Sequence, residues 1–80
     1  MSIDELRHYI QTELLNDPAV EIGADDDLLL SETLDSLSVM RLVQHLEDET
    51  GMAVPPQDVT LENFRSLRRI EAYLASRRAA

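Results

Sequence analysis

The sequence predicts an all-α domain, a small four-helix bundle with a short third helix and a long loop between helices one and two. Three observations support this class: apolar residues recur at helical spacing, Ser or Asp precedes the helical segments, and Gly or Pro follows them. A chain of 80 residues has room for one core, so residues 1–80 are interpreted as a single domain.

The first helix has a clear start and a clear end. Ser2 and Glu5 stand at the spacing of a capping box, in which each side chain satisfies a free backbone N–H group of the other residue. Apolar residues then recur at helical spacing until Pro18, which disfavours helical geometry in the residue before it. We therefore predict a first helix over residues 3–15.

Residues 16–35 form the long connection. A loop of this length is uncommon unless it is anchored, and we expect Leu28-Leu29-Leu30 to anchor it by packing across the bundle. Asp35 can act as the N-cap of the second helix, which is predicted to run from Ser36 to about Thr50. Gly51 is a suitable residue to end it.

The remaining chain predicts a short third helix and a longer fourth one. Pro55-Pro56 makes residues 52–54 extended, and residues 57–63 have room for one or two helical turns. Ser66 is placed to cap the last helix. The residues of this helix that we expect to face the core are Leu67, Ile70 and Leu74.

The charge is strongly acidic and unevenly distributed, with a net charge of −9 and no lysine. The acidic residues dominate positions 1–64, where the only basic residues besides histidine are Arg7 and Arg41. This surface repels phosphate backbones and attracts basic protein surfaces, so nucleic acid is excluded as a partner. The longest wholly apolar run is three leucines, and the N-terminus lacks signal-peptide features. We expect a cytoplasmic monomer that does not enter a membrane.

A helical wheel divides the second helix into two sides. The predicted core face comprises Val39, Leu42, Val43 and Leu46. The outward side comprises Leu37, Arg41, Gln44 and Asp48, flanked by Met40 and Glu47. Exposed apolar residues beside a serine at a helix start are typical of a docking surface, but also of a capped helix with isolated surface apolar residues. The helix alone leaves both interpretations open.

Ser36 is well placed to carry a phosphodiester, because the first-turn amides of a helix are unsatisfied and its dipole is positive there. The chain has no Gly-x-Ser-x-Gly elbow and no base next to Ser36, so another protein must activate this hydroxyl. We predict no catalytic residue in this chain.

No metal site is predicted either. The run Asp25-Asp26-Asp27 lacks the glycine and distal glutamate of an EF-hand loop, and is interpreted as a solvated acidic loop. His8 and His45 have no ligand partners at metal-binding spacing. The arginine pairs Arg68-Arg69 and Arg77-Arg78 are expected on a solvated helix face.

Three segments together resemble the acyl carrier protein family: Asp35-Ser36-Leu37, Val54-Pro55, and Glu62-Asn63-Phe64-Arg65-Ser66. The resemblance extends over nearly the whole chain in order and spacing. It implies that a phosphopantetheinyl transferase attaches 4'-phosphopantetheine from coenzyme A to Ser36, using magnesium. The thiol of this arm then carries acyl groups as thioesters, which suits a chain that has no cysteine of its own.

The resemblance also implies a docking face and a set of partners. The residues expected to meet partner enzymes are Asp35, Leu37, Met40, Arg41, Gln44, Glu47 and Asp48. We expect three partner classes: the transferase, an acyl- or aminoacyl-adenylating ligase, and downstream acyl-processing enzymes. The function implied is an acyl carrier of a fatty-acid-like, polyketide or other specialised pathway. The alternative is an aminoacyl or peptidyl carrier of nonribosomal peptide-type biosynthesis.

Two departures from the family pattern bear on these expectations. Many relatives have glycine where this chain has Glu32 or Thr33, which leaves the geometry of the loop before Ser36 open. The outward face of the second helix is strongly acidic in fatty-acid carriers, whereas here it bears Arg41 and Gln44. This difference favours a dedicated specialised pathway.

Overall fold

The computed structural model describes residues 2–79, which form four α-helices. The helices are α1 (Ile3–Tyr9), α2 (Ser36–Thr50), α3 (Leu61–Phe64) and α4 (Leu67–Ala79). A π-helical turn (Ile10–Leu14) extends α1, and a 3-10 turn (Pro56–Asp58) precedes α3. The predicted all-α bundle, with its long first loop and short third helix, is confirmed. Over residues 2–79, no helix is both long enough and apolar enough to cross a membrane.

The first helix starts where the capping box predicts. The N–H of Glu5 donates to Ser2 Oγ at 3.1 Å, and the N–H of Ser2 donates to Glu5 Oε1 at 3.2 Å. The predicted extent of residues 3–15 is nearly right, but the last turn is wider than an α-helix because Leu15 N–H bonds Ile10 O at 2.8 Å. Asn16, with a φ of 52°, then turns the chain away.

The short third helix, predicted within residues 57–63, is split into two pieces. The 3-10 turn starts at Pro56, and Thr60 then adopts an extended conformation before α3 begins at Leu61. The N–H of Asn63 donates to Thr60 Oγ1 at 3.3 Å, so Thr60 caps a new helix rather than continuing the old one. The last turn of α3 also extends one residue further than predicted, to Phe64.

The core is a cluster of buried apolar side chains from all four helices and the first loop. Leu42 and Leu46 of α2 are fully buried, and α4 contributes Leu67, Ile70 and Leu74, as the sequence predicts. The prediction is wrong in part for Val39 and Val43, which are only partly buried. Their side of α2 faces residues 54–61, and this segment leaves an open groove along the helix.

The long loop is anchored by two of the three leucines, because Leu28 is buried in the core and Leu29 packs against it. Leu28 is 1% exposed, whereas Leu30 is 65% exposed and Leu29 lies between these extremes. The backbone of Leu28 is also tied down, because its N–H donates to Arg65 O at 2.7 Å and its carbonyl accepts from Leu34 N–H at 2.9 Å. The anchoring prediction is therefore right for Leu28 and Leu29 and wrong for Leu30.

Candidate functional site

Ser36 is the first residue of α2 and is exposed to solvent. Asp35 is the N-cap, as predicted, and its Oδ1 accepts a hydrogen bond from the N–H of Ser38 at 2.8 Å. This bond stabilises the ionised form and lowers the pKa of the Asp35 carboxyl. The serine hydroxyl thus lies at a capped helix N-terminus, where the first-turn amides create a positive potential.

The loop before Ser36 is held by the carboxylate of Asp27. Its Oδ1 accepts from the N–H groups of Leu29 at 3.0 Å and Leu30 at 2.6 Å. Its Oδ2 accepts from Arg65 Nε at 2.9 Å. Desolvation opposes the ionised form of Asp27, but these donors outweigh it and lower the pKa of the carboxyl. The loop is therefore fastened to the junction between α3 and α4.

Glu32 occupies a backbone conformation that favours glycine. Its φ is 62°, in the left-handed region that side chains with a Cβ rarely adopt. This is one of the two positions at which many relatives of the acyl carrier protein type have glycine. The loop before Ser36 therefore contains a turn that glycine adopts more easily, and it carries the strain of a side chain at Glu32.

An apolar groove runs along α2 from Ser36, and we call it the α2 groove. It consists of two adjoining open depressions of about 730 and 390 Å³, between α2 and residues 54–61. Ser36 lines the first depression, Glu47 lines the second, and both are lined by Val39, Met40 and Val59. The helical wheel did not predict this groove, because its far wall comes from a distant part of the sequence.

Four large apolar side chains are exposed in the described part of the chain. Leu37 is 67% and Met40 is 69% exposed, so both lie outside the core as the wheel predicts. The exposure of Leu30, at 65%, and of Leu61, at 43%, was not predicted from the sequence. Leu61 lines the same depression of the α2 groove as Ser36 and Met40. Its position directly after the Thr60 cap was the sequence signal available for this placement.

The predicted outward stripe of α2 is solvent-exposed along its length, from Leu37 through Arg41 and Gln44 to Asp48. Gln44 Nε2 donates to Asp48 Oδ1 at 3.1 Å. Within residues 2–79, no carboxylate lies within 4 Å of the Arg41 guanidinium. The side chain of Arg41 is thus available to a partner.

Glu47 differs from the other residues predicted to dock partners. It is half-buried, and its Oε2 accepts a 2.7 Å hydrogen bond from the N–H of Val54. Val54 is 7% exposed and belongs to the far wall of the α2 groove. The carboxylate of Glu47 therefore fastens the groove wall to α2 and faces the groove.

Asp58, in the wall segment, is held by α4. Its Oδ2 accepts from Tyr73 Oη at 2.6 Å and lies 3.4 Å from Arg77 Nη1, and Arg77 Nη2 donates to Ala53 O at 2.8 Å. Desolvation and the neighbouring Asp58 carboxylate raise the pKa of Tyr73 to about 12. These side-chain bonds connect the groove wall to the last helix.

The expectation of solvated charges holds for most of these residues and fails in part for two. Asp25, Asp26, Arg68, Arg69 and Arg78 are exposed, whereas Asp27 and Arg77 are partly buried. Arg68 Nε lies 2.7 Å from Asp25 Oδ1 in an exposed ion pair, which lowers the pKa of that carboxyl, and Arg77 pairs with Asp58. Asp26 accepts from the N–H of Gly23 at 2.7 Å. The first loop folds back onto the α3–α4 region, which brings Asp25 to Arg68. The described residues include no group of three or more metal-ligating side chains arranged around a common point.

His45, which the sequence left without a partner, stacks on Tyr9 of α1. The two rings lie 3.7 Å apart with 9° between their planes, and Tyr9 Oη donates to Arg41 O at 3.3 Å. This contact fixes the α1 side of α2, opposite to the α2 groove. A small helical bundle with an exposed serine at a helix start, beside an open groove, is the arrangement expected of the carrier-domain class that the sequence resembles.

Comparison with known proteins identifies the family. The family model described as phosphopantetheine attachment site matches residues 4–74. Over 68 residues, 85% of this chain and 86% of the relative, the chain is 35% identical to the D-alanyl carrier protein of Abiotrophia defectiva. The chain belongs to the phosphopantetheine-binding acyl carrier protein family, and its cofactor is covalent 4'-phosphopantetheine.

Solved structures show the same fold. A chain from a crystal structure described as an FAD-dependent dehydrogenase matches with a TM-score of 0.78 and 28% identity, over 86% of this chain and 97% of that one. A chain from the crystal structure of Bradyrhizobium japonicum glycine:[carrier protein] ligase complexed with glycylated carrier protein matches with a TM-score of 0.66 and 21% identity. This match covers 88% of this chain and 89% of that one. A chain from a second crystal structure, of that ligase complexed with cognate carrier protein and an analogue of glycyl adenylate, matches with a TM-score of 0.70 and 22% identity. This match covers 92% of this chain and 91% of that one.

Proposed function

We propose that Ser36 carries the 4'-phosphopantetheine arm and that residues 1–80 form one carrier domain without catalytic activity of its own. The observation that supports this most directly is the exposed hydroxyl of Ser36 at the capped start of α2. A phosphodiester there is stabilised by the helix dipole and the first-turn amides. When bound, the arm supplies a thiol that holds cargo as a thioester.

The other serines near this region are less suited to modification. Ser31 Oγ is engaged by the carbonyl of Asp27 and by Thr33 Oγ1. Ser66 is 5% exposed, and its Oγ accepts from Arg69 N–H at 3.2 Å. Ser38 is half-buried in the first turn of α2. Ser36 combines exposure with the helix-start position.

We propose that the cargo is an aminoacyl group, loaded by an adenylating ligase. The support is the 35% identity to a D-alanyl carrier protein over most of both chains. The two ligase complexes that share this fold contain a glycylated carrier and an analogue of glycyl adenylate, which is consistent with a ligase as partner. The carrier of a non-amino acyl group is the second candidate. It is favoured by the apolar lining of the α2 groove beside Ser36.

The attachment is tested by intact-mass analysis after incubation with coenzyme A, magnesium and a broad-specificity phosphopantetheinyl transferase. We expect one added arm on the unaltered chain and on the matched variant Ser38→Ala, and none on Ser36→Ala. An arm on Ser36→Ala would overturn the assignment.

The cargo class is tested by offering the arm-bearing protein to adenylating ligases for glycine, D-alanine and simple carboxylic acids. A mass increase with the amino acids and none with the carboxylic acids supports the aminoacyl proposal. The reverse result supports the second candidate. A non-denaturing mass measurement on the same sample tests the expected monomer.

A further inference from the structure

The α2 groove joins the proposed attachment residue to a carboxylate. Ser36 lines one end and Glu47 lines the other, and the residues that line both depressions make the passage continuous. Eleven residues of helix separate Ser36 from Glu47, a rise of about 16 Å at about 1.5 Å per residue. A phosphopantetheine arm has about 14 bonds from the serine oxygen to the sulfur, and spans about 16 Å at about 3.5 Å per three extended bonds. The two lengths agree, so the groove is long enough for the arm.

The second depression, which is the half of the α2 groove far from Ser36, has one charged side chain in its lining, that of Glu47. Its apolar lining includes Val43, Val54 and Val59, and the polar groups there are the side chains of Gln44 and Glu47. Glu47 Oε2 accepts one hydrogen bond from Val54 N–H at 2.7 Å, which leaves further acceptor positions on the carboxylate free of that bond. A half-buried carboxylate in an apolar groove attracts a cation more strongly than one in bulk water.

The other acidic groups near the groove do not line its second depression. Glu32 and Asp35 line the end next to Ser36, so they are remote from a cargo at the end of an extended arm. The Asp58 carboxylate of the wall segment is bonded to Tyr73 and Arg77 of α4. Glu47 is therefore the charged group that a cargo in the far half of the groove meets.

We propose that Glu47 is a cargo-recognition residue, whose carboxylate pairs with the α-ammonium group of an aminoacyl thioester when the arm lies in the α2 groove. The inference rests on the proposed attachment at Ser36 and on the aminoacyl cargo. The pairing favours the protonated amine. A protonated amine has no lone pair with which to attack a thioester, so the contact protects the loaded arm. It also discriminates against neutral acyl groups.

The test uses the full chain carrying a hydrolytically stable arm, in which an amide replaces the thioester and the cargo is ¹⁵N-glycine. The ammonium is titrated by NMR in the unaltered chain, in Glu47→Gln, and in the matched control Glu49→Gln. Glu49 is an exposed acid on the same helix, outside the groove. Glutamine at position 47 keeps an oxygen that accepts from Val54 N–H, so the groove wall is retained.

We expect the pKa of the cargo ammonium to be about one unit higher in the unaltered chain and in Glu49→Gln than in Glu47→Gln. We also expect nuclear Overhauser contacts from the cargo methylene to the Val54 or Val59 methyls, and their loss when a neutral glycolyl cargo replaces glycyl. Equal ammonium pKa values in all three proteins, or equal contacts from both cargos, would overturn the role of Glu47. Failure to attach any arm at Ser36 would instead overturn the proposed function.

Discussion

The N–H of Leu28 donates a 2.7 Å hydrogen bond to the carbonyl of Arg65, which ties the loop before Ser36 to the α3–α4 junction. The side chain of Arg65 reaches the same loop through Asp27. Backbone and side chain of one residue thus hold the segment that leads into α2. The α3–α4 junction thus anchors the loop that leads to Ser36.

Asp27→Ala should loosen the loop, because Leu29 and Leu30 lose the oxygen that accepts from their N–H groups. We expect several-fold faster amide exchange at both residues, measured by NMR. Asp25→Ala is the matched control, since Asp25 makes an exposed ion pair with Arg68 and caps no backbone group of the loop. Similar exchange rates in the two variants would contradict the role of Asp27.

Leu46→Ala should destabilise the bundle by about 2–5 kcal/mol through cavity formation, because Leu46 is fully buried. Met40→Ala is the control, since this side chain is 69% exposed and its loss should change the free energy of unfolding by less than about 0.5 kcal/mol. Urea unfolding followed by circular dichroism measures both. A small effect of Leu46→Ala would refute the packing described above.

Glu32→Gly should raise the free energy of unfolding by up to about 1 kcal/mol. Glycine relieves the left-handed strain at φ 62°, and the greater freedom of the unfolded chain offsets part of the gain. Thr33→Gly, at a residue without a positive φ, should lower it by about 0.5–1 kcal/mol. Thermal unfolding of the two variants measures both changes. A loss of stability in Glu32→Gly as large as that in Thr33→Gly would show that the backbone at Glu32 is not strained.

The Tyr73–Asp58 contact should make stability depend on pH in alkali. The pKa of Tyr73 is raised to about 12 in the folded chain, from an ordinary value of 10.0. A raised pKa contributes stability that is fully present below pH 10 and is lost as the pH rises to 12. Tyr73→Phe should therefore show a smaller stability loss over this interval, measured by urea unfolding at each pH. The same loss in both proteins would show that Tyr73 does not titrate as described.

Partner choice is the prediction that concerns the exposed stripe of α2. We expect Leu37→Ala to slow loading by every partner, because Leu37 is an apolar residue exposed next to Ser36. We expect Arg41→Glu to improve turnover with fatty-acid synthase enzymes and to weaken it with the native ligase and transferase. The reason is that Arg41 repels basic partner surfaces.

Kinetics at low and high salt test this prediction, with Arg69→Glu as the matched charge reversal. Arg69 is exposed on α4, away from the stripe, and this variant should leave the rates close to those of the unaltered chain. Unchanged rates for both Leu37→Ala and Arg41→Glu would remove the stripe from partner docking. We expect Glu47 and Asp48, at the end of α2 away from Ser36, to attract basic partner surfaces, so high salt should slow the rates.

The sequence by itself determined where α1 begins and where α2 begins and ends. The Ser2–Glu5 capping box, the Asp35 cap before Ser36 and the Gly51 end of α2 all involve groups within a few residues of one another. Such contacts depend on local backbone geometry, and so the sequence specifies them directly. The position of Ser36 at a helix start follows from the same local rules.

Only the tertiary structure decided which side of α2 packs against the core and which side borders the α2 groove. Val43 and Leu42 are neighbours on the predicted core face, yet Leu42 is buried while Val43 borders a groove. The difference depends on how far residues 54–61 stand from the helix, and no periodicity encodes that distance. The same holds for Glu47, whose carboxylate is directed to Val54 across the groove. Contacts between segments far apart in sequence are fixed by the packing of the whole core, and a local pattern does not carry that information.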